Sequence, residues 1–102
     1  MDQSHLNKVF LRILTDFEPQ YVSYRNLIPA HQFRLLQAIA IENGVAKPTS
    51  GIFINNHDLT SPSSVTTSLK ALQDKEMIVN ENGTWLVYDV FFSRWLEDNY
   101  ER

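Results

Sequence analysis

The stretch from Ser61 to Asp89, SPSSVTTSLKALQDKEMIVNENGTWLVYD, leaves the chain few options, because it prescribes four consecutive elements without a gap. Ser61 can accept hydrogen bonds from the first unsatisfied N–H groups of a helix, and Pro62 suits the first helical position, where no N–H is needed and φ is already set. Val65, Leu69 and Leu72 fall at i, i+4 and i+7 and form an inward face. Opposite them lie Ser63, Ser64, Thr66, Thr67, Lys70, Gln73 and Asp74. Ile78 and Val79 begin a strand, Asn82-Gly83 supplies the positive φ angles of a two-residue type I′ turn, and Trp85 to Tyr88 return as the second strand.

Upstream, Leu6, Val9, Phe10, Ile13, Leu14 and Phe17 keep helical spacing, which predicts an amphipathic helix from about Asp2 to Glu18, stopped by Pro19. The segment from Tyr21 to Leu27 is poorly patterned and reads as either a turn of helix or a loop. Pro29 fits the first position of a helix carrying Phe33, Leu35, Leu36, Ile39 and Ala40, with Gly44 as its left-handed stop. Its apolar positions cover more than one face, so this helix should be touched from two sides. Thr49 or Ser50 can cap a short helix through Ile52, Phe53 and Ile54, ended by Asn55-Asn56-His57-Asp58, with Leu59 plugging the turn. Asp89 can cap a last helix with Phe92, Trp95 and Leu96 facing inward.

Three helices followed by a tight hairpin are the order of a winged helix-turn-helix. The expected fold class is mainly α with a small β-hairpin, a winged helix-turn-helix with extra N- and C-terminal helices. At 102 residues it is one domain, with an N-terminal helix at 1–18, helix-turn-helix plus wing at 27–88 and a C-terminal helix at 89–100.

Several chemistries find no support. The three glycines, Gly44, Gly51 and Gly83, build neither a P-loop nor a dinucleotide fingerprint. His5, His31 and His57 sit on separate elements, and there is no cysteine, so neither a metal set nor a thiol nucleophile is expected. His57-Asp58 resembles half a catalytic pair, but neighbours in sequence rarely face each other, and a helix-ending turn accounts for them better. No catalytic residue and no cofactor is therefore expected. No apolar run is long enough to span a bilayer and no secretory leader is evident, so the reading is a soluble cytoplasmic protein without a membrane partner.

Two binding roles remain. Ser63, Ser64, Thr66, Thr67 and Lys70 present short hydroxyls and one ammonium, as the first part of a recognition helix does, and are the candidate nucleic-acid-binding residues. Alternatively, Ser61 and Ser64 satisfy the helix start and Thr66 and Thr67 are merely solvated. Early Arg, Asn or Gln for bidentate base contacts are missing from this helix. The net charge of −3, the wing tip Asn80-Glu81-Asn82-Gly83 and the offsetting of Lys70 and Lys75 by Asp74 and Glu76 also disfavour strong DNA binding. The basic residues Lys8, Arg12, Arg25, Arg34 and Arg94 read as scattered over other elements. A protein partner, or a homodimer through Phe10, Leu14 and Phe17 or the last helix, competes with DNA.

The segments AHQFRLLQAIA, PTSGIFI, SPSSVTTSLKALQDKEMI and VYDVFFSRWL, in this order, resemble the C-terminal winged-helix region of bacterial and archaeal AAA+ (STAND-like) ATPases. The resemblance covers about Leu27 to Glu97. It implies that Ser61 to Lys75 is the recognition helix, that Ile78 to Tyr88 is the wing, and that Asp89, Phe91, Phe92, Arg94, Trp95 and Leu96 form a closing signature. It further implies an ATPase domain of a parent protein as neighbour and partner, and DNA as ligand, while ATP binding does not carry over because its motif residues are missing. The residues themselves assign Asp89 to a cap, Phe92, Trp95 and Leu96 to the core, and Arg94 to the surface.

Overall fold

The computed structural model describes residues 18–98 of the chain. The expected helix from Asp2 to Glu18 therefore lies outside the described residues except at its end, as do Phe10, Leu14, Phe17, His5, Lys8 and Arg12. Residues 18–27 are helical (α1), followed by α2 (Ala30–Glu42), α3 (Gly51–Asn56), α4 (Pro62–Asp74), β1 (Ile78–Glu81), β2 (Thr84–Val87) and α5 (Val90–Asp98).

Glu18 and Pro19 are themselves helical, and of the two readings of Tyr21 to Leu27 helix is the one observed, while the rest of the helix that Pro19 was to stop lies outside the described residues. The reason is tertiary. Tyr21 is buried and packs its ring 5.0 Å from Phe92 and 5.5 Å from Trp95, and Tyr24 meets Phe92 edge-on at 5.3 Å. Tyr21, Tyr24 and Ile28 thus form an inward stripe at helical spacing, a pattern that the exposed Val22 and Leu27 obscure. Burial pushes the Tyr21 phenol above its ordinary value, and the negative charge of Asp89 and then Tyr24 add to the shift.

The central helix α2 buries Phe33, Leu35, Leu36, Ala38, Ile39 and Ala40 and packs against α4, α5 and β2, as its broad apolar pattern predicts. Pro29 stands at its N-cap with ψ 143°, one position earlier than expected. Its left-handed stop is Asn43 (φ 54°) rather than Gly44, which follows at φ 114°. Ser50, not Thr49, caps α3, its side chain accepting from Phe53 N at 3.2 Å. Leu59 is buried beneath the turn between α3 and α4.

Each of α2, α3 and α4 closes with the same pair of backbone bonds. Asn43 N donates to Ala40 O and Gly44 N to Ile39 O, Asp58 N to Asn55 O and Leu59 N to Ile54 O, and Glu76 N to Gln73 O and Met77 N to Leu72 O. The left-handed residues are Asn43, Asp58 and Glu76, at φ 54°, 53° and 60°. Asn and Asp tolerate this conformation, whereas Glu has no short side chain to offset the crowding of its Cβ. Glu76→Gly is expected to stabilise the domain by about 1 kcal/mol, read as a higher urea midpoint at unchanged slope.

The hairpin pairs Ile78 with Val87, Val79 with Leu86, Asn80 with Trp85 and Glu81 with Thr84. Asn82 and Gly83 take φ values of 54° and 89°, the type I′ pair, and Asn80 Oδ1 accepts from Gly83 N at 3.0 Å. Alternation turns Ile78 and Val87 into the core and Val79 and Leu86 to the other side, where they remain half-buried. Val45 adds a single-residue bridge to Trp85 through two bonds of 2.9 and 2.8 Å, so the connection after α2 widens the flap. Asp89 caps α5, its Oδ1 accepting from Phe91 N and Phe92 N at 2.9 and 3.2 Å. Phe92, Trp95 and Leu96 are buried and Arg94 is exposed, as the spacing assigned them.

Candidate nucleic-acid interface

Helix α4 starts as its sequence dictates. Ser61 Oγ accepts from Ser64 N at 3.2 Å, Pro62 occupies the first turn, and Val65, Ser68, Leu69 and Leu72 are buried against α2 and β1. The face opposite is fixed by that anchoring. Ser63, Thr66, Thr67 and Lys70 are exposed, while Ser64 is half-buried on the flank and turns toward α2.

The hydroxyl chemistry on this face is specific. Thr66 Oγ1 donates to Pro62 O and Thr67 Oγ1 to Ser63 O, both at 3.0 Å, and Ser63 Oγ lies 3.3 Å from Ser61 Oγ. The threonines thus spend their protons within the helix, and giving one to a phosphate requires breaking a local bond. Lys70 is the exposed cation of the face, a point charge with three donors. From Leu59 to Gln73 the chain carries no carboxylate, so α4 itself supplies no negative charge to the outer surface of its first turns. Asp74 and Glu76 lie at the far end, and Glu81, Asn82 and Gly83 are exposed at the hairpin tip. Such a face can take a phosphate backbone but offers little for reading base edges.

Sequence reasoning alone misses what flanks α4. Arg34, which reads as one of several scattered cations, lies on α2 beside α4, and His31 lies one turn before it. Both line a cavity of about 210 Å³ together with Thr60 and Ser64. Arg34 also lines a neighbouring cavity of about 380 Å³ with Arg25 and Gln37. The only signal in the sequence was the i, i+3 spacing of His31 and Arg34. Asp58 is the carboxylate common to both cavities: Arg34 Nη1 donates to Asp58 O at 3.2 Å and reaches its Oδ2 at 3.5 Å.

His57 and Asp58 diverge, as a helix-ending turn requires. His57 is buried, its Nε2 lies 2.7 Å from Glu42 Oε1, and its ring packs 4.9 Å from Phe53. Its Nδ1 is buried without a hydrogen-bond partner among the described residues. Through the Nε2–Glu42 contact the imidazole ties the end of α3 to the last turn of α2. The angle between the first two helices of the helix-turn-helix is thereby braced.

Among the described residues no group of three or more His, Asp or Glu side chains could hold a metal ion, and no helix is long and apolar enough to cross a membrane. No curated protein and no solved structure matches the chain. A family model described as a probable winged helix domain matches residues 19–98. The match runs from α1 through α5, over the helix-turn-helix and the hairpin whose geometry is given above, and the chain belongs to this winged-helix family.

Proposed function

We propose that this winged-helix domain is a non-enzymatic module that binds duplex DNA weakly, through the phosphate backbone, with Ser63, Ser64, Thr67 and Lys70 nearest the groove. The observation that carries this reading is the outer face of α4, where exposed hydroxyls and Lys70 stand on a helix with no carboxylate of its own before Asp74. Glu81 at the hairpin tip and the net charge of −3 hold the affinity down. The similarity of VYDVFFSRWL and the preceding segments to the AAA+ ATPases supports a place for the module next to a P-loop ATPase domain. A P-loop in the coding sequence upstream is the observation to look for.

Anisotropy of labelled duplexes of two unrelated sequences at low salt tests the DNA reading. Lys70→Glu is expected to weaken both duplexes about equally and to reduce the salt slope by about one. Absence of binding by the wild type, or an unchanged slope in the variant, defeats the assignment.

A second reading, docking on a protein, is favoured by a different surface. Tyr88 and Val90 are 69% and 70% exposed and share a groove with the outward Val79 and Leu86. Sedimentation at high concentration addresses self-association, since a strict monomer excludes the homodimer.

A further inference from the structure

We propose that Arg34 is a second phosphate contact beside α4, and that the Asp58 carboxylate occupies its guanidinium until phosphate displaces it. The inference rests on the nucleic-acid reading above and names a residue pair outside the recognition helix.

The pair spans 24 positions of sequence and joins α2 to the turn that precedes α4. Arg34 makes two contacts there of different quality. Its Nη1 donates to the Asp58 carbonyl at 3.2 Å, and the same nitrogen only reaches the carboxylate at 3.5 Å. The carbonyl is fixed, because Asp58 sits in the left-handed turn closed by Leu59 N donating to Ile54 O at 2.9 Å. The carboxylate is not, with the side chains of Arg34 and Asp58 exposed by 54% and 98%.

A long, single-nitrogen ion pair between such exposed groups contributes at most about 1 kcal/mol. Phosphate takes a guanidinium through two parallel N–H bonds, and Arg34 engages Asp58 through Nη1 alone. When phosphate arrives, the carboxylate can swing into water while the carbonyl bond still holds the guanidinium in place. The guanidinium opens onto the cavity that Ser64, at the flank of α4, and His31 also line. Ser64 belongs to α4 and lines the same cavity as Arg34, so the contact extends the α4 footprint toward α2.

The test is a double-mutant cycle on duplex affinity, by anisotropy, with Arg34→Gln, Asp58→Asn and the pair. Asn keeps the left-handed conformation that residue 58 needs, and removing an exposed pair leaves the fold intact, which thermal melts verify. Arg34→Gln should weaken binding about fivefold and lower the salt slope by about one. Asp58→Asn should tighten binding severalfold in the wild-type background and have no effect when Arg34 is already Gln. Arg34→Lys should keep the slope but recover only part of the affinity.

Equal tightening by Asp58→Asn in both backgrounds overturns the proposal, because the aspartate would then act as any nearby negative charge. If Lys70→Glu weakens binding and Arg34→Gln does not, the proposal fails while the α4 reading stands. If the wild type binds no duplex, both fall together.

Discussion

Trp95→Ala is expected to cost about 3–5 kcal/mol, the range for emptying a buried aromatic site. Trp95 is 5% exposed and its ring lies 5.5 Å from Tyr21 and 6.1 Å from Phe92. The cavity cannot collapse easily, because the tyrosine comes from α1 and the phenylalanine from the preceding turn of α5, each held by its own helix. A domain of this size has only about 5–10 kcal/mol to lose, so a fall in Tm of roughly 15 °C or more should accompany the change. Chemical denaturation followed by far-UV circular dichroism measures it. The result also separates two meanings of the segment VYDVFFSRWL. A variant of near wild-type stability would make Trp95 a docking residue, contrary to its burial, and would reopen the closing signature as a binding surface.

Gly44→Ala should be the most damaging change among the glycines, at about 2–4 kcal/mol. Two independent penalties meet there. The backbone holds φ at 114°, and a Cβ would come within 2.9 Å of Leu86 Cδ2 and 3.1 Å of Thr84 Cγ2. Both are side-chain methyls on β2, so Leu86 and Thr84 must turn aside to admit the methyl group while the backbone, with Trp85 O at 3.8 Å, stays in place. Gly83 provides the control. It also has a positive φ, 89°, but a methyl group placed there would meet nothing within 4 Å. Its replacement by Ala should cost only the conformational penalty, about 1–2 kcal/mol. Equal losses at the two positions would show that contact between the end of α2 and the hairpin does not matter.

The parts of the fold that could be read in the sequence are those with local causes. Ser61-Pro62 announces α4, Asn82-Gly83 closes the hairpin, and Asp89 starts α5, each through bonds spanning four residues or fewer. The parts that could not be read depend on distant partners. Helix at 21–27 exists because Tyr21 and Tyr24 find Phe92, near the other end of the chain. Asn43 takes the left-handed position expected of Gly44, and Gly44 follows at φ 114°, a conformation that side-chain-bearing residues rarely adopt, with the side chains of Leu86 and Thr84 close by. The candidate site divides in the same way. The serine and threonine edge of α4 follows from helical spacing, but the convergence of His31, Arg34 and Asp58 arises from the crossing of α2 over α4, which no periodicity encodes.

The aromatic clasp between α1 and α5 brings the two ends of the described chain together. Glu18 and Asp98 each lie one helical turn from residues whose rings touch, Tyr21 and Trp95. Entry and exit therefore share one side of the domain. A short linker from Asp98 back to Glu18 should allow circular permutation of residues 18–98, with new termini opened in the exposed 46–47 stretch.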